Sequence, residues 1–327
     1  MSETTVGMAD PAVRRQLMAD VAQEPGSAKP DSILSVDNIT RRFGGITAVD
    51  VNHLEVQRGM ITALIGPNGA GKTTFFNLIT GFDKPSSAGK GAHWSFDGAT
   101  LDKTGASAVA KSGMVRTFQL TKALSRMTVM DNMLLGAKDQ RGESLMRCMF
   151  RPIWSGQERE VEEKAAGLLE RFKLLEKKDD YAGSLSGGQR KLLEMARALM
   201  SDPKMIMLDE PMAGVNPALT QSLLGHIQAL RDEGTTVLFV EHDMHVVQHI
   251  SDWVVVMAEG QIVAEGPADT VMANPAVIDA YLGAHHDTDL GDDDLLDEGA
   301  DLGPLSETAA DEEGSPPPES HDEGKHA

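Results

Sequence analysis

The residues best suited to chemistry sit at the ends of short apolar runs. Met60-Ile61-Thr62-Ala63-Leu64-Ile65 leads directly into Gly66-Pro67-Asn68-Gly69-Ala70-Gly71-Lys72-Thr73-Thr74, the full G-x-x-x-x-G-K-[ST] phosphate-loop pattern. Its glycines let the main chain wrap closely around phosphate, and its amides and the following helix start supply positive potential. Lys72 is placed to reach the β- and γ-phosphates, and the Thr73 hydroxyl to ligate magnesium. A Gly-rich turn is the plainer alternative. The apolar strand before the loop and the helical Thr74-Phe75-Phe76-Asn77-Leu78-Ile79 after it argue against that alternative.

Two more segments have matching chemistry. Leu185-Ser186-Gly187-Gly188-Gln189 opens a helical stretch, with Ser186 as N-cap and free amides that favour an anion. Taken alone, that stretch is most often just a cap and turn. Met205-Ile206-Met207-Leu208 ends in Asp209-Glu210, where one carboxylate can hold magnesium and the next can act on an attacking water. A third apolar run, residues 235–240, delivers Glu241-His242-Asp243. His242, His245 and His249 also invite a metal reading, the last two being one helical turn apart. No cysteine or suitable acid nearby completes that set, and His245 and His249 are simpler as helix-face residues.

Positioning these groups requires strands that end together. Short apolar runs alternating with amphipathic stretches predict an α/β domain with a largely parallel sheet, whose ligands gather at the carboxyl edge. The 327 residues are 41% hydrophobic, enough for a globular core. One cysteine, Cys148, excludes an internal disulfide and points to a reducing compartment. No apolar run approaches the length of a spanning helix, and the opening residues lack the order of a secretion signal, so a cytoplasmic protein is expected.

The net charge of −20 discourages a nucleic-acid partner, but it is unevenly spread. Residues 285–327 hold 15 acids against Lys325, a net −14, which leaves −6 for residues 1–284. This Gly-, Ser- and Pro-containing tail is expected to be disordered, and Asp292-Asp293-Asp294 lacks the spacing of a calcium loop. Residues 1–31 read as a flexible arm in which Asp10 and Pro11 start a short helix to about Ala22, followed by breakers at 25–30.

The order and spacing of residues 66–73, Gln119, residues 185–189, Asp209-Glu210 and His242 resemble an ABC-type ATP-binding cassette across residues 32–284. Arg42-Phe43-Gly44-Gly45, Val115-Arg116-Thr117-Phe118-Gln119, Ala213-Gly214-Val215-Asn216-Pro217, Glu241-His242-Asp243-Met244 and Ala280-Tyr281-Leu282-Gly283 are similar to the cassettes of branched-chain amino-acid importers, the LivG type.

The resemblance implies a P-loop NTPase (RecA-like) core, an N-terminal antiparallel β subdomain and an inserted helical subdomain at about 119–185. It implies ATP and Mg2+, with Thr73, Gln119 and Asp209 around the metal, Glu210 as the water-polarising carboxylate and His242 as the γ-phosphate switch. Phe43 stands where an aromatic ring stacks on adenine, although on sequence alone it is as readily a core residue. Asn216 and Val215 depart from the Asp and Leu of many cassettes; Asn216 fits the LivG-like phrase. In the family, two cassettes face head to tail, each ATP lying between one P-loop and the other chain's Ser186-Gly187-Gly188-Gln189. Membrane permease subunits, a second cassette and, indirectly, a solute-binding protein are the implied partners, at the inner face of the cell membrane. Residues 145–154, apolar and basic, fit either a surface for the permease or lipid headgroups, or a packed helix before a Pro turn. A urea or amide importer remains a rival, as does a non-transport cassette. The latter is disfavoured by the single P-loop, the acidic charge and the 112 positions between Thr73 and Leu185.

Overall fold

Two sheets organise the chain in the computed structural model, which describes residues 10–86, 91–117, 124–138 and 155–286. The chain divides into units Met1–Thr288 and Asp289–Ala327, and every described residue lies in the first. Gln119, Cys148, the 145–154 segment and the acidic tail beyond residue 286 lie outside the described residues.

Asp10 caps α1 (Pro11–Met18), accepting from the Ala12 N–H at 2.8 Å, with proline in the first turn where its missing donor costs nothing. The long strands β1 (Ser32–Phe43) and β2 (Ile46–Gln57) pair antiparallel about the turn at Gly44 and Gly45. Next come β3 (Ile61–Ile65), α2 (Lys72–Ile79), β4 (His93–Phe96), β5 (Ala99–Thr100), α3 (Ala106–Ser112) and β6 (Met114–Arg116). Helices α4 (Val129–Leu134), α5 (Ser155–Arg171) and α6 (Gly187–Leu199) follow, then β7 (Met205–Asp209), α7 (Pro217–Asp232) and β8 (Thr236–Val240). The described part closes with α8 (Met244–Ile250), the antiparallel pair β9 (Trp253–Ala258) and β10 (Gln261–Gly266), α9 (Ala268–Val271) and α10 (Pro275–His286).

One sheet is antiparallel, in the order β2-β1-β4-β5; the other runs β10-β9-β3-β8-β7-β6 and is parallel from β9 to β6. Strands β3 and β8 are buried at every position, which explains why they read as continuous apolar runs rather than alternating ones. Alternate residues nonetheless serve different cores. Ile61, Ala63, Ile65, Ile206, Leu208, Val237 and Phe239 pack with helices α4 to α7, whereas Leu64, Met205, Met207, Leu238 and Val240 pack toward β1, β2 and α2. The inserted helices join the first core: Val129 and Met133 of α4 and Ala165 and Leu169 of α5 share it with Leu192, Leu193 and Ala196 of α6.

Of the flexible arm expected at residues 1–31, the part described, residues 10–31, packs against the body. Arg14 is buried and donates to Asp252 at 2.8 Å, and Met18 enters the core beside β1 and β2. Lys29 lies beneath Trp253 of β9 and pairs with Glu265 of β10 at 3.1 Å. Arg14 and Lys29 dock because each meets an opposite charge that is largely or fully buried.

Candidate nucleotide site

The strand order places the candidate groups together. The loop after β3 is flanked by the carboxyl end of β8, which in turn neighbours β7, so Lys72, Asp209-Glu210 and Glu241-His242 converge on one sheet edge. The loop itself is wedged between strands. A Cβ on Gly66, at φ +149°, would stand 2.0 Å from the Met257 carbonyl oxygen, and one on Gly71, at φ +98°, would stand 2.3 Å from the Ala48 carbonyl oxygen. No L side chain fits there without moving backbone. The Gly260 N–H at the β9–β10 turn donates to the Ala70 carbonyl at 3.0 Å, bracing the loop from a third side.

Lys72 donates to the carbonyls of Gly66 at 2.7 Å and Pro67 at 2.9 Å. Burial pulls its pKa down, and the negative charges of Glu210 and Asp209 oppose that shift. Asn68, Gly69 and Thr73 are exposed and Thr74 is half-buried, leaving the loop open to a ligand. Asp209 accepts from Arg116 at 2.6 Å, and Arg116 also donates to Asn77 of α2 at 2.6 Å; the two charged side chains are only 5% and 11% exposed. The Thr73 hydroxyl and the Asp209 carboxylate are hard oxygen donors that fit magnesium, provided that the Arg116 guanidinium yields part of Asp209.

Glu210 has φ +47°, an uncommon conformation for a side-chain-bearing residue. His242 is exposed, with Nδ1 3.9 Å from Glu241 Oε2. Glu241 is buried and accepts from the Met212 N–H at 2.8 Å and the His242 N–H at 3.3 Å. Burial raises its pKa above the usual carboxylate value, those two N–H donors opposing. Tyr281 of α10 comes up against the same loop: its buried hydroxyl lies by the Gly66 amide without reaching hydrogen-bond geometry, and burial pushes its pKa up to about 12.

Phe43 ends β1 with 50% exposure, and the Arg41 guanidinium lies 4.6 Å from its ring centre. It is therefore a surface ring and not a core residue. Ser186 and Gln189 form a reciprocal capping box, each side chain accepting from the other's N–H at 3.2 and 3.0 Å. Among the described residues no hydrogen bond ties Ser186 or Gln189 to the phosphate loop. Gly188 is packed internally, where a Cβ would stand 1.8 Å from the terminal methyl of Leu219 of α7 and would oblige that side chain to move, whereas one on exposed Gly187 would meet nothing within 4 Å. Asn216 caps α7, accepting from the Leu219 N–H at 2.9 Å, which explains a short polar residue there. His245 and His249 are exposed on α8.

Three groups had no individual signal in the sequence. Arg116 and Glu241 stood inside recognisable phrases without a role of their own, and Lys191 was a lysine after a glycine-rich cap. What each does depends on residues far along the chain.

Comparison with known proteins agrees with this arrangement. The ABC transporter family model matches residues 49–213, and the model for the branched-chain amino acid ATP-binding cassette transporter matches residues 261–287. The chain is 40% identical over 252 residues to a probable branched-chain amino acid transport ATP-binding protein LivG of Archaeoglobus fulgidus, covering 77% of this chain and 96% of that one. It is 41% identical over 253 residues to the high-affinity branched-chain amino acid transport ATP-binding protein BraF of Pseudomonas aeruginosa, covering 77% and 98%. Among solved structures, a nucleotide-free ATP-binding cassette from an ABC transporter superposes with a TM-score of 0.66 at 39% identity, covering 76% of this chain and 98% of that one. The ADP conformation of the cassette MJ1267 gives 0.66 at 40% identity, covering 77% and 99%. With the phosphate loop, the paired carboxylates and the capped glycine-rich helix in one α/β frame, the chain belongs to the ABC transporter family as an ATP-binding cassette of the LivG and BraF kind.

Proposed function

We propose that the protein binds and hydrolyses ATP to drive an ABC importer for branched-chain or other hydrophobic amino acids. Support comes chiefly from the convergence of Lys72, Asp209 and Glu210 on one sheet edge, in a chain resembling LivG and BraF along most of its length.

In this reading Phe43 stacks on adenine, the amides of residues 66–74 and Lys72 hold the phosphates, and Glu210 orients the attacking water. Gln119 and Asp209 attend the metal, with Thr73. Magnesium, when bound, would neutralise charge developing on the transferred phosphoryl group. His242 reads the γ-phosphate, and the Ser186 helix start faces the nucleotide of a second cassette set head to tail. ATP then bridges two chains, and hydrolysis releases the bridge, converting chemistry into motion of the permease. The cassette works at the cytoplasmic face of the membrane. Among the described residues no helix is long and apolar enough to cross one, so membrane attachment falls to the permease partner.

Steady-state ATP turnover tests this directly. Lys72→Ala should abolish it, and Glu210→Gln should bind ATP, turn it over very slowly and accumulate as a closed dimer. Normal turnover in either variant would overturn the assignment.

A further inference from the structure

Lys191 lies on α6, five positions after Ser186, and its ammonium forms a tripod. It donates to the carbonyls of Glu210 at 3.0 Å, Pro211 at 3.0 Å and Ala213 at 2.6 Å. An ammonium has three N–H bonds, so all three are spent on the single stretch of main chain that leaves Glu210. That stretch is held at two further points. The Glu210 N–H donates to the Val240 carbonyl at 3.0 Å, and buried Glu241 accepts from the Met212 N–H at 2.8 Å. Glu210 itself adopts φ +47°. Such a conformation costs a side-chain-bearing residue about 1–2 kcal/mol and persists only where the surroundings over-determine it.

We propose that Lys191 is a positioning residue that holds the main chain of Glu210 and so ties this carboxylate to the helix that begins at Ser186. The proposal rests on Glu210 being the water-polarising carboxylate. In the head-to-tail pair, Ser186 serves the nucleotide of the opposite cassette while Glu210 serves its own. One side chain therefore joins the two sites within each chain. A shift of α6 when Ser186 engages phosphate reaches Glu210 through Lys191, without passing through the sheet.

The test uses the full chain with Lys191→Met, which keeps the apolar stem and removes all three donors. Affinity for a fluorescent ATP analogue and kcat for ATP are measured side by side. The expected result is affinity within about twofold of wild type and kcat lower by at least about tenfold, the factor set by about 1.4 kcal/mol in the barrier. A kcat within twofold of wild type overturns the proposal, as does a fall in kcat matched by an equal fall in affinity. Should Lys191→Met not fold, Lys191→Leu, which also removes every donor, is judged by the same two numbers. Glu210→Gln is the control. If it turns over ATP normally, the assignment of Glu210 falls and this proposal with it; an inactive Glu210→Gln beside a fully active Lys191 variant removes this proposal alone.

Discussion

Replacing Lys29 by methionine measures how firmly the N-terminal residues belong to the body. The Lys29 side chain is 1% exposed beside a Glu265 side chain at 0%. It donates to Glu265 at 3.1 Å and to the Ser27 carbonyl at 2.7 Å, and lies 4.8 Å from the centre of the Trp253 ring. Burial lowers its pKa, with Glu265 and Glu55 opposing. Methionine keeps the unbranched stem, so packing is largely retained and the loss is the cation. Glu265 is then left with the Ser27 N–H at 2.5 Å and the Trp253 indole N–H at 3.1 Å. Removing one partner of a buried pair costs about 3–5 kcal/mol, and the two surviving donors place this case near the lower end. Urea unfolding followed by tryptophan emission and by far-ultraviolet circular dichroism gives the change, provided that the two probes coincide and the slope is constant. The double variant Lys29→Met/Glu265→Gln, with both charges gone, should recover at least about 1 kcal/mol. A loss below about 1 kcal/mol in Lys29→Met would refute the buried tether.

Two glycines separate packing from ligand approach. Gly188→Ala, facing the Leu219 methyl at 1.8 Å, should displace that side chain and shift the thermal melt more than Gly187→Ala does. Gly187→Ala should leave the melt almost unchanged while reducing ATP turnover; equal behaviour of the two would contradict the contrast in their surroundings. Glu241→Gln reports on the buried carboxyl. Because burial raises its pKa, the folded chain keeps that proton to higher pH than the unfolded chain, and stability is lost as pH rises through the folded value. The stability of Glu241→Gln relative to wild type should therefore increase between pH 4 and pH 7, and a flat or falling difference would be inconsistent with the raised pKa.

Strands β3, β7 and β8 were legible because burial on both faces demands apolar runs, and each of these three runs ended in residues of the candidate site. Strand order was not legible, and it is strand order that brings Asp209 beside Lys72. The caps at Asp10, Ser186 and Asn216 were visible as local chemistry in their own neighbourhoods. Docking of residues 10–31 was not: Arg14 and Lys29 look like surface charges until Asp252 and Glu265, more than 230 positions away, are placed beneath them. Lys191 was hidden for a related reason, since its three acceptors are carbonyls, which every sequence supplies and none advertises. Phe43 was undecided between surface and core because an aromatic ring suits both.

The parallel sheet divides the interior into two compartments separated by the thickness of one backbone. In β7, Ile206 and Leu208 face the helices while Met205 and Met207 face the antiparallel sheet, and β8 sorts its residues the same way. A cavity opened at Leu208 and one opened at Met207 thus have different walls. Neighbours in sequence line different cavities, and Met207 and Leu208 should couple less than residues that share a wall. Changes of like parity on adjacent strands, such as Leu208 and Phe239, share one wall and should couple. The sheet that aligns the loops of the candidate site also stands as a partition between the two cores.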